Sequence, residues 1–149
     1  SLAMSFWLMP YPNYNSVMLF EYGAGELEVG LDAVSGATMP SYHLYVKSGE
    51  HKQVSRYEIN CFLWHHFFIE AGSPERIPRW FIDGWPVEDT LYPMSFSLRS
   101  PVLFMGRPSD PDTTENKLYR GFLDDLRLFN KYLPDDLIEE LFWLTPLAK

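Results

Sequence analysis

The stretch that decides the fold is "LWHHFFIEAGSPERIPRWFIDGWPV", residues 63–87. Two apolar, aromatic segments flank a polar break, and the second segment runs into Asp83-Gly84. Short aromatic segments bounded by turn residues are typical of β-strands. Asp-Gly is a tight-hairpin dipeptide, because glycine tolerates a positive φ. The stretch therefore predicts a pair of strands, the second of which ends in a tight hairpin turn.

The adjacent histidines in this stretch raise the question of a metal site. Neighbouring residues on a strand point to opposite faces, so His65 and His66 cannot both bind one metal ion without a large distortion. Zinc would need further ligands, and His43 and His51 stand at no recognisable spacing from the pair. We interpret Trp64 and His66 as core residues, with the imidazole hydrogen-bonded because a buried polar group needs a partner.

Strand-like segments recur along the whole chain at short intervals, separated by turn residues. The clearest alternation lies in residues 26–33, which predicts one buried and one solvated face. Only the end of the chain has a helical pattern, in residues 133–144. About ten strands and one late helix predict an all-β sandwich. The predicted strands are residues 4–9, 16–22, 26–33, 41–47, 52–57, 63–70, 79–82, 94–98, 101–105 and 119–130.

The composition fits one domain over residues 1–149 and argues against several partners. The net charge is −8 and the 12 basic residues are scattered, whereas nucleic-acid binding needs clustered Lys and Arg. No apolar run approaches the ~20 residues of a transmembrane helix. Cys61 is the single cysteine, so an internal disulfide is excluded.

Five motifs in the chain resemble those of one superfamily, in the same order. They are "SFWLMP", "LWHHFFIE", "FIDGWPV", "VLFMGRPSD" and "YRGFLDDLRLFNKYLPDDLIEELF", which together extend over about residues 4–142. Their order and style are similar to the laminin-G-like and pentraxin-like branch of the concanavalin A-like lectins and glucanases. The resemblance implies an antiparallel jelly-roll β-sandwich with a short C-terminal helix, in which Trp64 and His66 belong to the scaffold.

The resemblance also implies a non-catalytic recognition module that binds carbohydrate or a protein surface through loops at the sandwich edges. Exposed aromatic rings in turn-like segments suit either partner, because they can stack on a sugar or anchor a protein. We expect such a module to act outside the cell or at its surface, as part of a larger protein or assembly. The candidate ligand-binding residues are Tyr11, Tyr14, Trp85 and Tyr92.

A glucan hydrolase is a weaker alternative. Related glucanases carry E-x-D-x-(x)-E on one strand, and retaining hydrolysis needs two carboxyl groups about 5 Å apart. In "GELEVGLD" the first two places match Glu26 and Glu28, but the third falls on Gly30 or Leu31. Asp32 lies on the same face, two residues too far along. We therefore expect a solvated sheet face and no enzyme.

A calcium site is another alternative that the resemblance raises, although we expect no cofactor. Pentraxin-like members place acidic residues after the second strand, where this chain has Ala24 and Gly25. Calcium prefers six to eight oxygen ligands. The candidate ligands that remain are Asp110, Asp112 and Glu115. The alternative interpretation of this loop is an acidic segment that is exposed to solvent and binds no metal.

The closing strand, residues 119–130, suggests a structural role in an assembly. Related domains carry an earlier segment that pairs with this strand, and here the chain starts close to "SFWLMP". We expect the row Phe122, Asp124, Leu126 and Leu128 to face the core. Without the earlier segment, one edge of the closing strand would have no neighbouring strand. Such a bare edge favours strand pairing with another chain or oligomerisation.

Overall fold

The computed structural model of the chain describes residues 2–23, 26–36, 38–71, 78–87, 103–105 and 118–144. The predicted strand at residues 94–98 lies outside these ranges. The elements of the described part are β1 (Leu2–Pro10), β2 (Val17–Tyr22), β3 (Leu27–Ala33), β4 (Ser41–Ser48), β5 (His51–Asn60), β6 (His65–Ala71), β7 (Arg79–Ile82), β8 (Trp85–Pro86), β9 (Leu103–Met105), β10 (Gly121–Phe129) and the helix α1 (Asp135–Trp143).

The strands form two five-stranded sheets, and neighbouring strands within each sheet are antiparallel. The helix-side sheet has the order β10-β1-β6-β7-β8, and the opposite sheet has the order β5-β4-β3-β2-β9. Consecutive strands in space are distant in the chain at β10-β1 and β1-β6, as a jelly roll requires. The predicted antiparallel jelly-roll sandwich with a C-terminal helix is confirmed.

The main core lies between the two sheets, and the alternation of β3 shows why the strands form. Leu27, Val29 and Leu31 are buried, while Glu28 and Asp32 on the other face are partly exposed. Burying each large apolar side chain stabilises the fold by about 1.5–3 kcal/mol relative to leaving it exposed. The largest side chains buried in this layer are Met4, Phe6, Leu8, Phe20, Leu31, Tyr42, Leu44, Ile59, Phe67, Ile69 and Trp80.

The central strands of the helix-side sheet are buried on both faces, because α1 covers their outer surface. Phe67 and Ile69 of β6 point into the main core, whereas Phe68 packs beneath the helix. This explains why the middle of β6, residues 67–69, is apolar on both faces instead of alternating. The second, smaller core consists of Ala3, Phe68, Phe81, Leu133 and Ile138.

The Asp83-Gly84 corner forms the predicted hairpin turn between β7 and β8. Its two residues have φ values of 52° and 80°, and Ile82 pairs with Trp85, so the loop has two residues with the positive φ of a type I′ turn. The Asp83 carboxylate accepts a 2.8 Å hydrogen bond from the backbone N–H of His66. The backbone N–H of Asp83 in turn donates to the carbonyl of His66 at 2.9 Å.

His66 is a scaffold residue, as predicted, but Trp64 is not. The His66 side chain is 1 % exposed, and its Nε2 lies 2.8 Å from the Ser5 hydroxyl. It contacts the ring of Phe142, so it faces the helix. The expectation of a core position for Trp64 is wrong: β6 begins one residue later, and the half-buried Trp64 ring lies 6.2 Å from that of Phe122.

The predicted core row of the closing strand is confirmed for Leu126 and wrong for its two ends. Phe122 and Leu128 are about half exposed, whereas Leu123 and Leu126 pack against the main core. The cause is a β-bulge, since Ser5 pairs with Arg127 but Trp7 pairs with Asp124, which leaves two residues of β10 opposite one of β1. Asp125 adopts a positive φ of 57° at this point, and the inward side of the strand changes from odd to even positions across it, from Leu123 to Leu126.

We predict that His66 makes stability fall as the solution becomes acidic. Burial lowers the pKa of His66 from 6.5 to about 4; the carboxylate of Asp83 opposes this shift, Arg127 adds to it and Asp125 opposes it. Between pH 6.5 and 4 the unfolded chain takes up a proton that the folded chain does not. Over this range the free energy of unfolding should therefore fall by up to about 3 kcal/mol from this group.

Urea denaturation at pH 7 and at pH 4.5 checks this for the wild type and His66→Asn. The variant loses the Ser5 contact and should be less stable at pH 7, but the difference between the two proteins should shrink at pH 4.5. Parallel pH profiles for the two proteins would contradict the assignment.

Candidate functional site

A groove between the β7–β8 hairpin and α1 is the candidate site. Its volume is about 730 Å³, within the range of small-molecule sites. One wall is the hairpin and the other is a face of the helix. The residues that line this hairpin–helix groove are Phe81, Asp83, Gly84, Trp85, Pro86, Asp135, Asp136, Glu139, Phe142 and Trp143.

The helix packs against the hairpin and against β1 through Phe142. Its ring stacks on that of Trp7 at 5.6 Å with an interplanar angle of 19°, and it also contacts the ring of Trp143 at 5.0 Å. A Cβ at Gly84 would lie 3.0 Å from Phe142, so the absence of a side chain lets the hairpin approach the helix. The floor of the groove is therefore fixed by packing.

Two tryptophans stand exposed on the two walls. Trp85 on the hairpin is 71 % exposed and Trp143 near the end of α1 is 73 % exposed, whereas Trp7 and Trp80 are buried. An indole offers a large flat apolar face and an N–H donor, which suits a ligand with both apolar and polar surface. The groove thus presents two aromatic surfaces on rigid elements.

The polar lining of the groove is acidic. Asp83 pairs with His65 at 2.8 Å, and Asp135 pairs with Arg79. Asp136 and Glu139 are exposed and form no ion pair with any residue of the described ranges.

The guanidinium of Arg79, which lies beside the acidic lining, is already engaged. Besides Asp135, Arg79 binds Glu70 at 2.6 Å, donates to the carbonyl of Leu133 and lies 3.9 Å from the centre of the Tyr132 ring. The carboxylates that line the groove are therefore only partly neutralised.

The structure brings one of the four predicted ligand-binding residues into this groove. That residue is Trp85. Tyr11 lies elsewhere, with its ring 5.8 Å from Phe62 and 5.6 Å from Phe122, and Tyr14 is 72 % exposed in the loop after β1. Tyr92 lies outside the described residues.

Sequence reasoning missed Trp143 as a site residue. The sequence placed this residue only within the helical pattern of residues 133–144, but Trp143 is exposed and follows Glu139 by about one helical turn. The available signal was helical spacing: Trp143 follows Glu139 by four residues, which puts the indole on the same face of the helix as an acidic residue.

The face that resembles a glucanase strand is occupied by internal interactions. On the outer surface of the opposite sheet, the Tyr45 hydroxyl donates to Glu28, and burial together with this bond raises the pKa of Tyr45. The Tyr45 ring lies against Gly30, in the space that a side chain there would occupy. Lys52 binds Asp32 at 2.7 Å and lies over the Tyr45 ring at 4.2 Å. The ring and the ammonium group therefore engage Glu28 and Asp32.

No cluster of three or more metal-ligating side chains occurs among the residues for which the structure gives positions. The candidate calcium ligands Asp110, Asp112 and Glu115 lie outside those residues. The described helix is too short to cross a membrane.

Comparison with known proteins identifies the fold. No protein-family model and no curated protein sequence matches the chain. Among solved structures, the chain is similar to a heptameric SAP-like pentraxin from Limulus polyphemus, with a TM-score of 0.74 and 14% identity over 93% of this chain and 67% of the pentraxin.

Two carbohydrate-related structures are also similar. Domain 4 of the extracellular arabinanase AbnA from Geobacillus stearothermophilus, in complex with arabinotriose, has a TM-score of 0.62 at 17% identity, over 94% of this chain and 65% of that one. The CBM40 of the Ruminococcus gnavus IT-sialidase, bound to α2,3-sialyllactose, has a TM-score of 0.64 at 8% identity, over 95% and 82%.

The chain thus spans about two thirds of the pentraxin and of the arabinanase domain. At these identities the likeness concerns the fold, which is the concanavalin A-like jelly-roll sandwich that the five motifs indicated.

We predict that Gly84→Ala lowers the free energy of unfolding by more than the backbone strain of a positive φ alone can explain. Gly84 and Gly49 both have positive φ, but a Cβ at Gly49 meets nothing within 4 Å. In the left-handed region an alanine costs about 1–2 kcal/mol, and the contact with Phe142 should add about 1 kcal/mol at Gly84 only. Urea denaturation of Gly84→Ala and of the control Gly49→Ala measures the difference. Equal losses of unfolding free energy would show that the hairpin does not pack tightly against the helix.

Proposed function

We propose that this chain is a non-catalytic carbohydrate-binding module of laminin-G-like type, with its ligand in the hairpin–helix groove. The observation that supports the proposal is the pair of exposed tryptophans, Trp85 and Trp143, on opposite walls of a groove of about 730 Å³. Exposed large apolar side chains gathered at one concave site mark an interaction surface.

The lining of the groove fits a sugar chemically. A pyranose has C–H faces that pack on an indole and hydroxyl groups that donate hydrogen bonds. Asp136 and Glu139 are exposed carboxylates, which are acceptors with up to four lone pairs each. The aromatic walls would supply contact area, and the carboxylates would orient the hydroxyl groups.

Similar structures support a sugar ligand and an extracellular place of action. Arabinotriose is bound in the structure of domain 4 of the extracellular arabinanase, and α2,3-sialyllactose is bound in that of the sialidase CBM40. Both are parts of larger proteins, which matches the expectation that this domain belongs to one. The fold alone does not assign the ligand, so the groove carries the argument.

The arrangement of the opposite sheet supports a role in binding without catalysis. A retaining glycosidase needs one carboxyl group free to attack and a second one to donate a proton. Glu28 is held by Tyr45, and Asp32 is held by Lys52. Gly30, at one of the two places where the third acid would fall, lies beneath the Tyr45 ring.

We expect Trp85→Ala and Trp143→Ala each to weaken glycan binding by about tenfold, which corresponds to about 1.4 kcal/mol of lost stacking. Both side chains are mostly exposed, so the melting temperature should change little. A glycan array with the wild-type domain finds the oligosaccharide, and isothermal titration calorimetry measures the variants.

Tyr14→Ala is the matched control for these variants, because Tyr14 is equally exposed and does not line the groove. Its affinity should equal that of the wild type. If Tyr14→Ala lost as much affinity as the tryptophan variants, or if the array stayed silent, the assignment of the site would fail.

A second candidate function is a structural subunit that pairs through β10. In the described part of the chain, β10 is the edge strand of the helix-side sheet, with β1 as its one neighbour. Phe122 and Leu128 on this strand are 49% and 48% exposed. The ring of Phe122 also contacts those of Tyr11 and Trp64, which extends the aromatic surface beside the edge. An edge strand with apolar exposed side chains is a template for a strand of another chain.

This second function predicts self-association of the isolated domain. We expect analytical ultracentrifugation to detect dimers or larger species at tens of micromolar, and the double variant Phe122→Lys/Leu128→Lys to shift them to monomers, since lysines protect edges. Leu137→Lys, at an apolar position of similar exposure on α1, should leave the distribution unchanged. A wild-type monomer with slow amide exchange along residues 122–129 would exclude pairing through β10.

A further inference from the structure

We infer that the hairpin–helix groove selects glycans that carry protonated amino groups, and that it discriminates against acidic sugars. The inference rests on the proposed function and adds the chemical class of the ligand. It follows from the sign of the charge in the groove and from the position of the carboxylates relative to the indoles.

The charge in the groove has one sign. Among the residues that the structure describes, every ionisable residue that lines it is acidic: Asp83, Asp135, Asp136 and Glu139. Arg79 is held on Asp135 and Glu70 beside the groove and is not part of its lining. An acidic sugar would meet uncompensated like charge here, whereas an ammonium group would be attracted.

The unpaired carboxylates lie close to an indole along the helix. Asp136, Glu139 and Trp143 are spaced i, i+3 and i+7, so they follow one face of α1. Glu139 and Trp143 are separated by about one turn, or roughly 5.4 Å along the axis. An ammonium group over the indole face can therefore reach the Glu139 carboxylate as well.

This combination of groups is suited to a cation. A protonated amine is attracted to the face of a tryptophan ring within about 6 Å of its centre. The opposite wall supplies the second indole, Trp85. An amino sugar satisfies both elements of the groove at once, since its ring stacks on indole and its ammonium group pairs with a carboxylate.

The test compares two oligosaccharides that share a sugar backbone and differ in whether the nitrogen on C2 is a charged amine or a neutral acetamide. They are the β-1,4-linked tetramers of glucosamine and of N-acetylglucosamine, in which acetylation removes the positive charge and keeps the sugar backbone. Isothermal titration calorimetry at pH 6 and low ionic strength measures both, with α2,3-sialyllactose as the acidic ligand. We expect the glucosamine tetramer to bind at least about threefold more tightly than the acetylated one, and sialyllactose not to bind.

Isosteric variants assign this preference to particular carboxylates. Asp136→Asn and Glu139→Gln should each weaken binding of the glucosamine tetramer by about two- to fivefold, the size of an exposed ion pair. They should weaken binding of the acetylated tetramer by less, because the amide oxygen of Asn or Gln still accepts a hydrogen bond from a sugar hydroxyl group but no longer attracts an ammonium group. Glu140→Gln is the matched control, because Glu140 is exposed on the same helix and does not line the groove. Trp143→Ala should weaken both tetramers.

The outcomes separate this inference from the function on which it rests. Equal affinity for the two tetramers, no effect of Asp136→Asn and Glu139→Gln, or tighter binding of sialyllactose would overturn the charge selection. The tryptophan dependence of neutral binding would then still support the carbohydrate site. Absence of binding by every oligosaccharide would overturn the proposed function and the charge selection together. A preference for the glucosamine tetramer that salt removes would support the charge selection, because exposed charge pairs are screened.

Discussion

The carboxylate of Asp83 is the group on which the arrangement of the site depends. One of its oxygens accepts the backbone N–H of His66 and the other pairs with His65, so a single side chain ties the corner of the hairpin to β6. This bond holds the turn in its positive-φ conformation next to the sheet. Gly84 is thereby placed against Phe142, and Trp85 is directed to the surface. The site exists because the turn cannot move away from the sheet.

The helix turns an ordinary sandwich into a three-layered arrangement. Ile138 and Leu133 close a second core over Ala3, Phe68 and Phe81, and therefore the central strands of the helix-side sheet have no solvated face. Such strands must bury their polar groups with partners, which the bond between His66 and Ser5 provides. The same helix then supplies one wall of the groove, so the element that completes the fold also completes the site.

The sequence was sufficient for the elements and insufficient for the site. Alternation located β3, and Asp-Gly located the turn, because both are local rules. Local alternation failed in β10, where the bulge at Asp125 reverses the inward face in the middle of the strand. Trp143 could not be paired with Trp85 in advance, since the groove joins two segments, residues 81–86 and 135–143, that are distant in the chain and meet only through tertiary packing. The interpretations of Tyr92, Asp110, Asp112 and Glu115 stay predictions.

The uneven burial of the tryptophans has a spectroscopic consequence. Trp7 and Trp80 are buried and Trp64 is half-buried, whereas Trp85 and Trp143 face solvent on either side of the groove. The intrinsic fluorescence therefore comes from emitters of unequal access, and the two exposed indoles are the most open to aqueous quenchers such as iodide or acrylamide. Because these two indoles stand on the groove walls, a molecule that occupies the groove would protect them, and unfolding would expose the buried ones. The domain carries its own optical reporter, which separates occupancy from denaturation without a label.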